Sequence, residues 1–386
     1  MKFFHLSDLH IGKQLHHYNM SAEQTDILQQ ILLLARQEMP DAVLIAGDIY
    51  DTPVPSAESV AIFDRFLTEL SAITPEITIL VIAGNHDSAR RLSFANNILE
   101  KHGVYIEGLP PMQPEEHIKC VTLSDEEGEV VFYLLPFTKP SYVRKVFDEE
   151  ITGYDMAVRK LLERETIDTS KRNVIVSHQF YTASGMAPEM SDSEVHMAGG
   201  IENVDVSVLE PFDYAALGHI HRPQRMGKEI YRYCGTPLSY SVSEALDEKS
   251  VTVVELGAKG GEPVIRKLPL EPLRQVRKLT GTLEKILTDT PEEWNHDFVS
   301  ITLTDDIEAY RPKEQLEERF DHILEIRVDN ARTRKMLAFS GEKVELQSPY
   351  DAFQSFFYEM NGREMTAEES SLIQTVINMQ KEMEDV

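Results

Sequence analysis

Short apolar runs, each closed by a glycine or a polar residue, punctuate the first third of the chain. Phe3 to Ser7 reads as one strand, Ala42-Val43-Leu44-Ile45-Ala46 as a second, and Ile77 to Ile82 as a third, ending at Ala83-Gly84. Continuous rather than alternating apolar runs mark strands covered on both faces. Helical periods lie between them. Ala22 to Glu38 places Ile27, Ile31, Leu34 and Ala35 on one face. Ser56 is placed to N-cap a helix whose stripe is Val60, Phe63, Leu67 and Leu70. This β-α-β-α-β series predicts a parallel sheet with helices on its faces.

Strands dominate the next stretch of the chain: Val131 to Leu135, Asn173 to Ser177, Tyr214 to Leu217, Ile230 to Cys234 and Val251 to Glu255. The last leads through Gly257 and Gly261 into Val264 to Leu268, a hairpin pattern. A mixed two-sheet α/β sandwich flanked by helices accounts for this better than one doubly wound sheet. Pro269-Leu270-Glu271-Pro272 interrupts strand and helix alike, and a domain boundary is expected there. The expected division is a core over 1–270, a small α+β unit over 271–341 and a tail over 342–386. In the small unit, Thr282 to Leu287 and Lys313 to Phe320 read as helices, and Phe298 to Leu303 and Ile323 to Val328 as strands. In the tail, Phe353, Phe356, Phe357 and Met360 repeat at helical spacing up to Asn361-Gly362. Thr366 and Glu369 then form a capping box before Leu372, Val376, Met379 and Met383. Such stripes either pack on their own chain or dock on a partner's helices, and Phe- and Met-rich faces suit the second role.

Composition narrows the classes. At 386 residues the chain is long for a single core. No apolar run approaches the ~20 residues of a membrane-spanning helix. The apolar stretch at the N-terminus is short and broken by His5 and Asp8, so no signal peptide is expected. Two distant cysteines, Cys120 and Cys234, argue against a disulfide scaffold or a thiolate zinc site and fit a reducing cytoplasm. Cys234, in an apolar-aromatic run, is expected to be a buried structural thiol. The formal net charge of -27 opposes polyanion binding by the whole surface, so any phosphate contact must be local and assisted by cations.

The chemistry gathers where strands end: Asp8-Leu9-His10, Gly47-Asp48, Gly84-Asn85-His86-Asp87, Ser177-His178 and Gly218-His219-Ile220-His221. Ligands of open α/β sheets collect beyond the carboxyl ends of the strands. One such turn is an ordinary polar loop; the whole series, each member preceded by a strand, is a site. Carboxylates, a carboxamide and imidazoles without thiolate suit Mn²⁺, Fe or Zn²⁺. The ligands outnumber the needs of one ion. A pair ~3.5–4 Å apart sharing a carboxylate would use them economically and hydrolyse a phosphoester.

In this order the clusters resemble the calcineurin-like metallophosphoesterases and, within them, the SbcD family of bacterial nuclease subunits. The closer likeness rests on His5-Leu6-Ser7-Asp8-Leu9-His10, Ala46-Gly47-Asp48-Ile49-Tyr50-Asp51, Gly84-Asn85-His86-Asp87-Ser88 and Leu217-Gly218-His219-Ile220-His221. Tyr233-Cys234-Gly235-Thr236-Pro237 resembles the family's Gly-Ser-Pro turn, with Thr236 in place of serine. The likeness covers the core well; the small unit and tail agree in order and size. It implies a four-layer sandwich with a capping, DNA-gripping α+β domain and C-terminal helices that dock an SbcC-type coiled-coil ATPase. It implies two divalent ions, Mn²⁺ foremost, with Asp8, His10 and His221 on one, Asn85, His178 and His219 on the other, and Asp48 bridging. His86 would be catalytic, stabilising the transition state or protonating the leaving oxygen. The implied activity is ATP-dependent exonuclease and endonuclease cleavage of duplex ends and hairpins in DNA repair, recombination and replication. The implied assembly is a homodimer within a heterotetramer.

Archaeal and eukaryotic relatives carry a histidine where this chain has Asp51, which is therefore left out of the catalytic set. Asp87 either orients its loop or caps it from outside. His5 is expected to be structural, His16 and His17 to lie in a solvated loop, and His102 and His196 lack a partner pattern. Arg90, Arg91, Arg222 and Arg225 lie near the rim and suit backbone phosphates, and Arg274, Arg277 and Lys278 open the second domain. The acidic stretch Thr304 to Glu308 limits how much of that domain could do so. Two rivals use the same fold: a stand-alone phosphoesterase for nucleotides or phosphoproteins, which needs neither second domain nor tail, and a scaffold, which needs no ligands.

Overall fold

The computed structural model describes residues 1–194, 202–305 and 311–330, together with 350, 353–354, 357–358, 363–366, 369–370 and 373. Residues cluster into two compact units, Met1–Thr302 with Arg311–Arg327, and Leu303–Tyr310 with Val328–Val386.

The first unit is built on two six-stranded sheets. In one, Lys2–Leu6, Ala42–Ala46, Thr78–Ile82 and Val104–Glu107 run parallel side by side, and Ser250–Glu255 and Val264–Pro269 extend it antiparallel beyond Lys2–Leu6. In the other, Lys228–Tyr233, Tyr214–Gly218, Arg172–His178 and Gly128–Leu135 are parallel, bordered by antiparallel Gln224–Met226 and Lys119–Asp125. Their inner faces share a core of Phe3, Leu44, Leu80, Phe132, Val174 and Tyr214. Outside the first sheet pack the helices Ser21–Glu38 and Ala57–Ser71; outside the second packs Tyr154–Arg164. The layers are helix, sheet, sheet, helix, as the strand pattern and the resemblance predict. Each fully buried Phe or Leu in these layers is worth about 1.5–3 kcal/mol.

Local expectations are met with instructive shifts. Ser56 accepts from the Ser59 backbone N–H at 3.1 Å and caps its helix. That helix buries Ser59, Phe63, Phe66 and Leu70, whereas Val60 is exposed. Phe63 and Leu70 of the expected stripe stay buried, while Ser59 and Phe66 take the places expected for Val60 and Leu67. A further small sheet orders Val276–Gly281, Phe298–Leu303 and His322–Val328, with the helix Leu283–Asp289 beside it.

In the second unit, Thr366 and Glu369 form the expected capping box: the Thr366 N–H donates to Glu369 Oε2 at 2.8 Å and the Glu369 N–H to Thr366 Oγ1 at 3.3 Å. Phe356, Met360, Leu372, Val376, Met379 and Met383 lie outside the described residues, as do His196 and the end of the Thr304 to Glu308 stretch. No described helix is long and apolar enough to cross a membrane.

Candidate metal centre

Five parallel strands, three from one sheet and two from the other, end at one rim, and each supplies part of the site. Asp8 and His10 follow Lys2–Leu6; Asp48 follows Ala42–Ala46; Asn85 and His86 follow Thr78–Ile82. His178 ends Arg172–His178, and His219 and His221 follow Tyr214–Gly218. The turns are zipped together: Asp8 N–H donates to Gly47 O at 2.9 Å and His10 N–H to Asp48 O at 3.0 Å.

This tight passage puts four of the expected ligands in the left-handed region, Asp8 at φ 53°, His10 at 43°, Asp48 at 51° and His219 at 99°. Non-glycine residues adopt that region at a cost of about 1–3 kcal/mol each, and it concentrates at functional sites. Glycine is required at two neighbouring positions. A Cβ on Gly84 would strike the Asp48 carboxylate, and one on Gly218 would strike the Ala46 carbonyl.

The expected ligands converge. Ligand atoms of Asp8, His10 and His221 lie within 4.8 Å of one another, and so do those of Asp8, Asp48 and His178. Asn85 Oδ1 faces His178 Nε2 at 3.1 Å and His219 Nδ1 at 2.9 Å. Asp8 thus touches both groups, and Asp48 Oδ2 lies 3.7 Å from His10 Nε2 and 3.4 Å from His178 Nε2.

Hydrogen bonding at the far side of each ring tests the fit to a cation. His178 Nδ1 donates to Ala46 O at 2.7 Å, which makes Nε2 the nitrogen that faces the Asp48 carboxylate and Asn85 Oδ1. His221 Nδ1 is 2.7 Å from Ser193 Oγ, and His10 Nδ1 is 3.4 Å from Asp51 Oδ1. On the opposite side, Nε2 of His10 and Nε2 of His221 face each other across 3.1 Å, sharing a proton where a cation would sit. Imidazole nitrogens, carboxylates and a carboxamide oxygen gathered this closely are what a divalent cation holds together, and these oxygen and nitrogen ligands fit one.

Electrostatics follow the same layout. Burial would raise the Asp48 carboxyl, but His178 first, then His10 and His86, hold it well below the usual range. Burial opposes charge on His178, yet facing Asp48 raises it to about 9. His219 is pushed down to about 3 by burial and by its neighbour His178.

His86 stands beside these groups. Its backbone N–H donates to Asp48 Oδ1 at 2.9 Å, its Nδ1 lies 2.9 Å from Asp51 O, and its ring meets His10 edge-on at 4.9 Å. Asp87 takes the loop-orienting role: its carboxylate accepts from the N–H groups of Gly84, Ile49 and Tyr50 at 2.9, 3.1 and 3.0 Å. Burial and neighbouring Asp48 push its carboxyl up to about 6.

Sequence reasoning sets Asp51 aside, yet it faces His10, pairs with Lys13 at 2.8 Å and receives His86 on its carbonyl. The contiguous Gly47 to Asp51 turn is the available clue. Gln24 also goes unmarked in the sequence, although its side chain donates to His10 O at 2.7 Å from a helix carrying no other sign of function. His5 is structural, buried with Nδ1 at 3.0 Å from Tyr214 Oη and Nε2 at 3.2 Å from Leu217 O. His16, His17 and His102 are exposed, and Cys234 is buried. Of the basic residues, Arg222 pairs with Glu189 and Asp247, Arg225 with Glu229, Arg274 with Glu23 and Arg277 with Asp297. Arg90, Arg91 and Lys278 are exposed.

A family model described as calcineurin-like phosphoesterase matches residues 1–223. A second, described as the type 5 capsule protein repressor C-terminal domain, matches residues 269–361. The SbcD subunit of the SbcCD nuclease of Staphylococcus epidermidis is 29% identical over 385 residues, 98% of each chain. Its counterpart in Staphylococcus saprophyticus is 27% identical over 387 residues, again 98% of each. Among solved structures, a dimetal phosphatase from Danio rerio aligns with a TM-score of 0.38 at 15% identity, over 70% of this chain and 99% of that one. With residues 1–223, more than half its length, matched by the family model, the chain belongs to the calcineurin-like phosphoesterase family.

Proposed function

We propose that the chain is a phosphodiester hydrolase, the metal-dependent DNA nuclease subunit of an SbcCD-type complex. The observation that carries this is the convergence of carboxylates, a carboxamide and imidazole nitrogens at one rim, in a chain that matches SbcD relatives over 98% of its length. Asp8, His10 and His221 would hold one ion, Asn85, His178 and His219 the other, and Asp48 would bridge them. When bound, the two cations, with Mn²⁺ the first candidate, supply a nucleophilic water near neutral pH and charge stabilisation for the phosphodiester.

The chain's own residues do the rest. Ala46 O and Ser193 hold the Nδ1 side of His178 and His221, and Asp51 faces that of His10, so that each Nε2 is turned toward the ion it would hold. His86, tethered through Nδ1 to Asp51 O, presents its other nitrogen to the phosphodiester and would protonate the leaving oxygen. Arg90 and Arg91 are exposed cations on the short helix Ala89–Leu92 after His86 and would take flanking phosphates, a local counterweight to the net charge of -27. We assign residues 1–270 to the nuclease domain, 271–341 to a DNA-gripping cap and 342–386 to docking of an SbcC-type coiled-coil ATPase, in a homodimer-containing heterotetramer. Two free cysteines and bacterial SbcCD relatives support a cytoplasmic setting.

The test is cleavage of a hairpin duplex in Mn²⁺ with and without the ATPase. DNA cleavage lost on chelation supports the reading. Turnover of a chromogenic phosphodiester without DNA cleavage would favour a stand-alone phosphoesterase instead.

A further inference from the structure

Behind His221, on the side away from His10, lies a buried ion pair that the proposed chemistry does not use. Glu244 and Lys249 are paired at 2.6 Å, with side chains 0% and 3% exposed. A buried ion pair is weak as stabilisation, because desolvation offsets most of its attraction. This one is fully engaged. The Glu244 carboxylate accepts from Ser193 Oγ at 2.7 Å, Ser241 Oγ at 2.9 Å, Thr236 Oγ1 at 3.1 Å and the Lys249 ammonium.

Two of these branches end on His221. Ser193 Oγ lies 2.7 Å from His221 Nδ1. A serine hydroxyl has one proton, and a carboxylate has none to give, so that proton goes to Glu244 and the oxygen must accept from His221 Nδ1–H. Lys249 reaches Thr236 Oγ1 at 2.7 Å and the His221 carbonyl at 3.5 Å, and the Thr236 N–H donates to the same carbonyl at 3.0 Å. Imidazole and backbone of His221 are therefore clamped by one ion pair whose partners lie five residues apart.

We infer that Glu244, acting through Ser193 and held by Lys249, is the positioning carboxylate of His221: it fixes the ring with Nδ1 protonated and Nε2 free to bind a divalent ion. This rests on the metal reading above. It gives the threonine of the Gly235-Thr236-Pro237 turn a task, since its hydroxyl joins the ammonium to the carboxylate.

The experiment is Mn²⁺ titration of the full-length chain by calorimetry, with ¹⁵N spectra of the histidine rings. For Ser193→Ala, a partly exposed position whose truncation spares the core, one of two binding steps should weaken by about 10–100-fold while the other holds. The His221 ring should lose its single-tautomer ¹⁵N signature, and Ser193→Thr should restore both readouts. Glu244→Gln should weaken the same step. Equal isotherms for wild type and Ser193→Ala, or equal weakening of both steps, would overturn the inference. A wild-type chain that binds no Mn²⁺ would instead overturn the metal reading and the inference with it.

Discussion

The imidazoles of His10 and His221 face each other Nε2 to Nε2 at 3.1 Å. The contact is a buried hydrogen bond, made by one proton held between the two nitrogens. A shared cation would take that proton's place. Mn²⁺ should therefore raise the melting temperature of chelator-treated protein. Binding contributes about 2.7 kcal/mol at a hundredfold excess over Kd. The rise should shrink in His10→Ala and His221→Ala. Scanning calorimetry across a Mn²⁺ series decides it; a wild-type melting temperature indifferent to Mn²⁺ would refute the pairing.

His86 touches Asp48 only through its backbone N–H, and its ring is anchored on Asp51 O. An amide at Nδ1 can keep that anchor while losing the proton-transfer nitrogen. His86→Asn should accordingly retain Mn²⁺ stoichiometry and lower the cleavage rate by about 10²–10⁴-fold, the range of a positioned acid–base group. Single-turnover cleavage of a labelled duplex measures this. A rate within a few-fold of wild type would remove His86 from the chemistry.

Backbone closeness at the strand ends carries its own test. Gly218 pairs with His178 across adjacent strands, and a Cβ there would collide with Ala46 O, which also accepts the His178 proton. Gly218→Ala should destabilise by about 1–3 kcal/mol, as overpacking does, and should weaken Mn²⁺ binding as His178 shifts. Gly257, where an added Cβ would meet nothing within 4 Å, is the control, and alanine there should stay within about 0.5 kcal/mol. Denaturant midpoints of the two variants give the comparison, and equal midpoints would contradict the packing described.

Much of this is legible in the sequence because buried parallel strands write themselves as unbroken apolar runs, and their ends fall where the ligands stand. Taken alone, Asn85 and His86 read as one polar turn; the neighbouring strand ends supply Asp48, His178 and His219 as partners. Strands with an exposed face are harder to read. Lys119–Asp125 alternates buried and exposed residues, and Val104–Glu107 is only four residues long. Groups that act through other groups leave no local trace. Gln24 looks like any polar helix position, and Ser193 and Glu244 are 51 residues apart. Tertiary packing brings such groups together.

Burial of His5 sets a pH dependence of stability that is separable from the site. Its ring lies between Tyr214 and Leu217, and burial pushes its pKa from the ordinary 6.5 down to about 3. Between those values the unfolded chain binds a proton on this residue that the folded chain refuses. Stability from this group is therefore intact above about pH 6.5 and falls as the pH drops toward 3, by about 1.4 kcal/mol per unit. His5→Gln keeps hydrogen-bonding capacity and has no titration. Urea midpoints at pH 7, 6 and 5 should fall more steeply for the wild type than for His5→Gln, with other titrating groups cancelling in the difference. Parallel profiles would mean that His5 is protonated in the folded chain, against its placement between a tyrosine hydroxyl and a backbone carbonyl.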